Sequence, residues 1–326
     1  MADRRKKRRR KSGTGKKIMW TILALMLIVI LGVTAVGAKM YYDVSKSADA
    51  TFAKAKRIKT DASRKDEVDL KTKQPISVLL LGVDTGALGR TDQGRSDSMM
   101  LGVVNPTHKK TTLVSLERDI YAPIIGHNGN ASDKINHAYA FGGAGMSMDT
   151  VSSLLGIPVD HYIVMNMEGI QQLVDALGGV DVNNALKFTY TQDNRTDTYD
   201  IGKIHLEGLK ALGYLRMRYD DPDGDYGRQR RQREVVQAIA KKVLTLDGVT
   251  QYKALLDAMA DNVLTDLSFD QMKTIALNYR DAFEHIDTQQ LKGTGFMQDG
   301  VSYQRISDDT LNEMKTTLKT ELELPN

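Results

Sequence analysis

The sequence predicts an α/β protein in which a three-layer α/β/α domain with a mixed central sheet follows a single N-terminal transmembrane helix. Three observations predict this: an uncharged apolar stretch near the N-terminus, short apolar runs of strand length further on, and helical patterns that alternate with those runs. The 326 residues include no cysteine, so disulfides and thiolate metal sites are excluded. A domain of this length can instead be held together by its apolar core.

The predicted transmembrane helix covers residues 18–38, IMWTILALMLIVILGVTAVGA, which carry no charge. At about 1.5 Å per residue, this helix spans roughly the 30 Å hydrocarbon core of a bilayer. Residues 1–17 hold ten Lys/Arg and one acid, so the positive-inside rule keeps this basic tail in the cytoplasm and places residues 39–326 outside the cell membrane. A signal peptide cleaved after Ala38 is the alternative, but the apolar run exceeds the roughly 7–15 residues of a usual signal core.

The charge balance argues against a nucleic-acid partner. Without the basic tail, the chain keeps 35 of its 45 Lys/Arg and 40 of its 41 Asp/Glu, which is a net charge of −5. Sequence-independent binding of nucleic acid usually needs a basic surface on the folded domain. The RRKKRRRK run is therefore interpreted as a topology signal that faces anionic lipid.

The rest of the chain is interpreted as an extracellular stalk, residues 39–74, and a domain, residues 75–326. The stalk is rich in Lys, Ala, Ser and Asp, and its AKAKR segment favours a helix. Within the domain the motifs occupy residues 75–242, and residues 243–326 are predicted to be a helical part that packs around the same core.

Strands and helices alternate along this domain. Apolar runs predict buried strands at 76–84, 98–105, 111–119 and 161–166, and the turn signal Asn105-Pro106-Thr107 predicts that the second and third pair antiparallel. Helices are predicted at 142–156, 167–179, 206–218 and 230–244, and in the C-terminal segments YKALLDAMADNVL, FDQMKTIALNY and SDDTLNEMKTTLKTEL. Ligands of such sheets bind beyond the strand ends.

Arginine and aspartate recur at the junctions between these elements. Residues 216–233, RMRYDDPDGDYGRQRRQR, hold six arginines, four aspartates and no lysine. A guanidinium fork matches two phosphate oxygens at once, whereas an ammonium is a point charge. Carboxylates hold Mg²⁺ through one or two ligands while phosphate oxygens and water complete its shell. The mixture therefore predicts a site for a diphosphate that binds together with a divalent cation.

Helical spacing sorts the arginines of GRQRRQRE, in which Gly227 can begin a helix. Arg228 and Gln232 are four residues apart and share a face with Arg231, so these three can be aimed at one ligand. Arg230 and Arg233 point elsewhere and are predicted to lie on a solvated face.

Seven collinear motifs from about Pro75 to about Lys242 resemble the LytR-CpsA-Psr family of membrane-anchored cell-wall enzymes. They are LLLGVDTG, RSDSMML, SLERDIYAPI, KINHAYAFGG, GIPVDHYIVMN, LVDALGGVDV and LRMRYDDPDGDYGRQRRQ. The resemblance implies a phosphotransferase that moves a wall polymer, such as teichoic acid or capsular polysaccharide, from an undecaprenyl-diphosphate carrier to a peptidoglycan hydroxyl and forms a phosphodiester. It implies Mg²⁺, or Mn²⁺, as the cofactor.

The resemblance also assigns roles to matching positions. It implies metal ligands at Asp84 and Asp97, and contacts to the diphosphate from Arg95, Arg118, Lys134, Arg216, Arg218, Arg228 and Gln232. Catalytic roles fall to Arg118, Arg228, Asp97 and Asp225, and the general base is left open between the two aspartates. SLERD has Glu117 where many relatives have proline, which is expected to alter only the local turn.

Other readings of the same residues remain. A non-catalytic wall module could bind the prenyl phosphate, or a polyprenyl-diphosphate hydrolase could use water in place of the sugar. A transcriptional attenuator fits least, because about 17 cytoplasmic residues are too few for a folded DNA reader. No HExxH spacing indicates zinc, GALGRTDQG lacks the Lys-Ser/Thr of a Walker loop, and His137 is assigned a structural hydrogen bond in preference to a role as base.

Overall fold

The computed structural model describes residues 39, 41–58, 60–84, 93–192, 194–244, 255, 257 and 262–325. The predicted transmembrane helix and basic tail lie outside this part of the chain. Within it, no helix combines the length and the apolar character needed to cross a bilayer.

The fourteen named strands of the described chain form one six-stranded sheet and four two-stranded pairs. They are β1 Ile76–Val83, β2 Ser96–Asn105, β3 Lys110–Leu116, β4 Tyr121–Pro123, β5 Ser132–Lys134, β6 His161–Asn166, β7 Val180–Asn184, β8 Phe188–Gln192, β9 Arg195–Tyr199, β10 Gly202–Leu206, β11 Val263–Thr265, β12 Ile286–Leu291, β13 Thr294–Gln298 and β14 Val301–Arg305. The large sheet has the order β11-β6-β1-β2-β3-β12. It is mixed, as predicted, because β1 pairs parallel with β6 and β3 with β12 while the other pairs are antiparallel.

Helices cover both faces of this sheet. They are α1 at 41–51, α2 His137–Leu155, α3 Met167–Ala176, α4 Gly208–Arg216, α5 Asp225–Leu244, α6 Phe269–Asn278 and α7 Asp308–Glu321. Side chains of β1 alternate between the two faces. Leu79 and Leu81 pack in a core cluster with Met148 of α2, while Val78 packs in a second cluster with Ile275 of α6. The α/β class is therefore confirmed.

A third core cluster lies beside the large sheet. The pairs β7/β10 and β8/β9 pack with α3, α4 and α5 around the buried rings of Phe188, Tyr199 and Tyr214. The Phe188 and Tyr199 rings are stacked with centroids 4.4 Å apart. Because α5 also contacts β3, this cluster fixes α5, and with it the arginine-rich segment, against the sheet.

The interpretation of residues 39–74 as a stalk does not hold for the described residues, which pack on the domain. Val44, Ala48 and Thr51 form a buried stripe along α1 at spacings of four and three residues. Further along, Arg57 Nη2 lies 2.9 Å from Asp149 Oδ1. The AKAKR segment forms no helix, because its backbone is drawn to the domain edge, where Ala53 N–H donates to Thr265 O over 2.7 Å.

The C-terminal part is only partly helical. The predicted helices at FDQMKTIALNY and SDDTLNEMKTTLKTEL form as α6 and α7, whereas most of YKALLDAMADNVL lies outside the described residues. The same part also supplies both edge strands of the large sheet, β11 and β12, and the β13/β14 hairpin. The segment IDTQQL, which forms β12, was not predicted as a strand. An edge strand buries few side chains, so its sequence carries no continuous apolar run.

Candidate active site

Arg118 and Asp97 meet where β2 and β3 lie side by side. Asp97 lies near the start of β2, Arg118 follows the end of β3, and Arg118 Nη1 donates to Asp97 Oδ1 over 2.9 Å. The Nε atom of Arg118 is buried and makes no hydrogen bond with another described group. Burial lowers the pKa of Arg118, but the carboxylates of Asp97, Asp225 and Asp119 outweigh it, and the net pKa is raised. The sheet thus holds a permanently charged guanidinium with an unused donor.

Arg228 faces the same place from the first turns of α5. Its side chain is 12% exposed, and its Nη2 lies 2.6 Å from Asp225 Oδ1. That contact lacks hydrogen-bond geometry, and both Nε and Nη2 of Arg228 are buried without a hydrogen-bond partner in the described chain. Burial lowers the pKa of Arg228, opposed by Asp225 and Asp97 and reinforced by the cations of Arg118 and Arg218. These mutual effects show that charges from β2, β3 and α5 converge, as the sequence predicts.

Lys134 and Arg95 border this cluster. Lys134 Nζ lies 2.7 Å from Asp119 Oδ1, one residue after Arg118. Arg95 is exposed, and its Nη1 lies 3.5 Å from Nε2 of His137. Asp133 holds the other ring nitrogen, Nδ1, at 2.7 Å. The predicted structural hydrogen bond of His137 is present.

Three other residues that were predicted to contact the diphosphate have other partners in the structure. Gln232 is buried, and its Oε1 accepts a hydrogen bond from Ser98 Oγ over 2.9 Å, which ties α5 to β2. Arg218 lies over the ring of Tyr219, 4.8 Å from its centroid, and remains close enough to influence Arg228. Arg216 reaches Gln192 of β8 at 3.5 Å, and among the described residues no ion pair joins it to the cluster.

The possible metal ligands amount to two carboxylates. Asp84 directly follows β1 and Asp97 lies near the start of β2, where Val83 pairs with Ser96 across a bulge. The described chain contains no group of three or more Asp, Glu or His side chains placed to hold an ion. Two carboxylates fit a metal such as Mg²⁺ that takes its remaining ligands from substrate phosphates and water. They do not fit a fully protein-enclosed ion.

Glu117 is the site residue that the sequence analysis missed. It was expected to change only a turn, but its side chain is buried at the end of β3. The amide nitrogen of Gln229 donates to Glu117 Oε2 and, over 3.0 Å, to Asp225 Oδ2. Gln229 Oε1 in turn accepts from Gln290 Nε2 of β12 over 3.0 Å. The Gln229 amide therefore bridges the carboxyl groups of Glu117 and Asp225. Its orientation is fixed by the hydrogen bond from Gln290 of the edge strand β12.

The carboxyl of Glu117 is partly protonated near neutral pH. Desolvation raises its pKa to about 7, and the charges of Asp225 and Asp119 add to this, whereas the Gln229 hydrogen bond and Arg118 oppose it. The raised pKa of Glu117 could not be predicted from the SLERD motif, because it depends on the burial of the side chain. A glutamate next to an arginine in sequence reads as an ordinary ion pair.

Raising the pH from 5 to 8 is expected to destabilise the protein more than it destabilises Glu117→Gln. The folded state holds the Glu117 proton up to about pH 7, while the unfolded chain releases it near the ordinary value of 4.5. This stabilisation is therefore complete below pH 4.5 and lost as the pH rises to 7. Its loss is worth on the order of 2 kcal/mol. Urea unfolding of both proteins at pH 5 and 8 measures the difference, and parallel pH dependences would contradict the assignment.

Two predictions about the remaining arginines are wrong. Arg231 does not face the ligand cluster: it is buried and bonds Asp221 and the carbonyl oxygens of Tyr214 and Met217. Arg233 is not solvated, because it is buried and its Nη1 donates to Ser115 Oγ over 2.8 Å. Arg230 is on the solvent side as predicted and pairs with Asp223 at 2.7 Å.

A cavity of about 380 Å³ lies at the β6 side of the sheet. Its lining is mainly apolar or aromatic and consists of Gln93, Tyr139, Gly143, Ala144, Tyr162, Val164 and Leu264. Gly143 interrupts α2 with a φ of +67°, a conformation that glycine adopts without strain. The sequence did not predict which residues line an apolar cavity, because they come from β6, α2 and the edge strand β11.

The domain is of the mixed α/β class and carries buried guanidinium groups and carboxylates at its strand ends. This arrangement suits the binding of a multiply charged anion. The model of the LytR_cpsA_psr family matches residues 38–320, and the chain belongs to that family. The match begins well before Pro75, in agreement with the packing of residues 41–64 on the domain.

Curated relatives extend this likeness over almost the whole chain, and solved structures extend it over about four fifths of the chain. The polyisoprenyl-teichoic acid–peptidoglycan teichoic acid transferase TagU of Enterococcus faecalis is 53% identical over 94% of this chain and 98% of its own length. The TagU of Bacillus subtilis is 39% identical over 98% and 99%. The crystal structure of B. subtilis TagU covers 78% of this chain and 99% of its own at 38% identity with a TM-score of 0.62. A structure of TagT bound to LIIa-WTA covers 83% and 100% at 29% identity with a TM-score of 0.69.

Proposed function

We propose that this chain is a phosphotransferase that moves an anionic glycopolymer from an undecaprenyl-diphosphate carrier to a hydroxyl of peptidoglycan and forms a phosphodiester. The observation that carries the proposal is the buried guanidinium of Arg228, which lies near Arg118 and has the Asp225 carboxylate at 2.6 Å, while its Nε and Nη2 make no hydrogen bond in the described chain. Buried donors without hydrogen bonds are costly unless a further anion, here the diphosphate, completes them. The names of the relatives favour teichoic acid over capsular polysaccharide as the polymer.

The charged side chains of the site can stabilise both the attack on phosphorus and the departure of the leaving phosphate. The acceptor hydroxyl oxygen attacks the phosphorus that carries the polymer, the P–O–P bond breaks, and undecaprenyl phosphate leaves. Arg118 and Arg228 stabilise charge on the phosphoryl group and on the leaving phosphate, assisted by Arg95, Lys134 and Arg218 at the border of the cluster. The structure gives Gln232 and Arg216 other partners, so neither is assigned a contact to the diphosphate. The hydroxyl proton passes to a carboxylate, either Asp225 beside Arg228 or Asp97 beside Arg118.

Asp84 and Asp97 are the residues proposed to hold Mg²⁺, or Mn²⁺, together with the diphosphate. The bound ion would neutralise part of the diphosphate charge. The rest of the stabilisation is assigned to the arginines, which need no ion to be charged.

The placement of the substrates follows from the apolar parts of the chain. The cavity lined by Tyr162, Val164 and Leu264 is proposed to take the part of the prenyl chain nearest the diphosphate, since most of its lining residues are apolar or aromatic and it lies beside β6, which pairs with β1. The apolar stretch 18–38 and the basic tail support a single-pass protein of the cell membrane with its domain outside, where peptidoglycan is found.

Mixing the full chain in lipid vesicles with lipid-linked polymer, peptidoglycan and Mg²⁺ tests the proposal. We expect polymer bound to peptidoglycan through phosphate, with release of undecaprenyl phosphate. Free polymer phosphate that forms equally without acceptor would instead identify a diphosphate hydrolase. Retained lipid without any product would identify a binding module. Arg230→Ala, which alters an exposed pair near the site, is the control expected to keep full activity.

A further inference from the structure

An apolar surface surrounds the β11 edge of the large sheet. Large side chains exposed there are Tyr41 and Tyr42 of α1, Phe52, and Leu264 of β11, which are 49%, 67%, 45% and 45% exposed. Two contacts connect these residues to the segment around β11. The Tyr41 ring packs against Phe269 with centroids 5.4 Å apart, and Phe52 forms a β-bridge with Thr265, the neighbour of Leu264. We call Tyr41, Tyr42, Phe52 and Leu264 the β11-edge face.

This face is fixed to the domain. The buried stripe of Val44, Ala48 and Thr51 holds α1 along its length. After α1, Ala53 N–H donates to Thr265 O, and Tyr162 O–H donates to Ala53 O over 2.6 Å. The orientation of α1 relative to the large sheet is therefore fixed.

The chain reaches this face directly from the predicted transmembrane helix. That helix ends at residue 38, and residue 39, which follows it directly, is already helical, as are residues 41–51 of α1. Because neighbouring Cα atoms are only about 3.8 Å apart, the first turn of α1 is expected at the membrane surface. Tyrosine is enriched at that depth of a bilayer, where its ring is partly apolar and its hydroxyl is hydrated.

The charge along this segment suits an anionic membrane. Residues 39–56 hold four lysines and two aspartates, and Lys39, Lys46, Lys54 and Lys56 are all exposed. Near an anionic surface each such lysine contributes about 1 kcal/mol of attraction. The domain as a whole is acidic, so this basic segment distinguishes the β11 edge from the rest.

We propose that the β11-edge face lies on the outer surface of the bilayer, with Tyr41, Tyr42, Phe52 and Leu264 in the headgroup region of anionic phospholipid. The domain would then be held in one orientation on the membrane. Leu264 also lines the 380 Å³ cavity, so the cavity opens toward lipid and a carrier can enter it from the bilayer without crossing water. The inference does not depend on transfer activity.

The absence of cysteine makes the test direct. Single cysteines at positions 52 and 264 of the full chain are labelled with bimane and reconstituted in phosphatidylglycerol vesicles that contain doxyl-labelled lipid. We expect a blue-shifted emission and strong quenching at both positions. The result at position 264 is the more decisive of the two, because this residue is far in sequence from the predicted transmembrane helix. Quenching there cannot be explained by the membrane anchor alone.

Cysteines at Met297 and Ile201, which are 66% and 69% exposed, are the matched controls. Met297 lies in β13, the hairpin strand that follows β12. β12 is the opposite edge of the six-stranded sheet, about 24 Å from β11 across five strand spacings. Water-like emission without quenching is expected at 297 and 201. Equal signals at all four positions, or no quenching at 52 and 264, would overturn the proposal.

Discussion

Replacing Arg228 by alanine is expected to lower the rate of polymer transfer by about 10²–10³, the scale measured when a preorganised donor is removed from an active site. The guanidinium is buried, and apart from the ion pair of Nη2 with Asp225 its Nε and Nη2 make no hydrogen bond in the described chain, so both remain available to phosphate oxygens. Arg118→Ala should lose rate on the same scale, because its Nε is likewise buried and unused.

Arg228→Lys separates charge from geometry. An ammonium keeps the charge but loses the fork that bonds two phosphate oxygens, so most of the rate loss should remain. Rates of phosphodiester formation at saturating lipid-linked donor measure the effect, with Arg230→Ala as the nearby arginine that should not matter. Full activity of Arg118→Ala and Arg228→Ala would remove the basis of the proposed mechanism.

Replacing Arg231 by methionine is expected to lower the free energy of unfolding by about 3–5 kcal/mol, because it leaves Asp221 buried without its main partner. The side chains of Arg231 and Asp221 are 2% and 1% exposed. Arg231 also donates from Nε to Tyr214 O over 3.0 Å, and its guanidinium lies 5.4 Å from the centroid of Phe188. It therefore joins α5 to α4 and to the third core cluster.

The neighbouring arginine provides the control for this change. Arg230 is 38% exposed, pairs with Asp223 at 2.7 Å and lies 3.6 Å from Asp221, which keeps its closer partner Arg231, so Arg230→Ala should cost no more than about 1 kcal/mol. The double variant Arg231→Met/Asp221→Leu should recover part of the loss, since it removes the unpaired charge as well. Chemical unfolding measures all three. Equal losses in Arg231→Met and Arg230→Ala would show that burial of the first pair has no structural weight.

Contrasting residues show how far the sequence could be interpreted. Arg118 and Arg228 were predicted to converge, because one follows a strand end and the other begins a helix, and the structure brings their charges close enough to influence each other. Arg231 and Arg233 were placed wrongly, since helical spacing gives only the direction of a side chain and not what lies there. Whether an arginine meets solvent, ligand or a buried aspartate depends on how α4 and β3 pack against α5.

The fold shows the same limit. The strands β1, β2 and β3 were predictable, because residues buried on both faces give continuous apolar runs, and β6 was predictable although its burial alternates. The edge strand β12 was not, because it is held by backbone hydrogen bonds and buries few apolar side chains. The packing of residues 41–64 was missed because the buried stripe of α1 consists of only a few small residues, and the rest of the segment is held by ion pairs. Glu117 belongs to this second group, since its neighbours Gln229 and Asp225 come from a distant part of the chain.

The parallel pairing of β3 with β12 has a consequence for how this protein is made. Ile286 pairs with Thr111 across most of the domain's sequence, so β3 remains an open edge until the chain is nearly complete. Such distant pairing forms slowly, because a long loop must close first. During synthesis β3 would therefore remain an unpaired edge strand for some time, and the hydrogen bond from Gln290 that supports the Glu117–Asp225 bridge would form only at the end. Chaperones and proteases would act on the molecule during that interval.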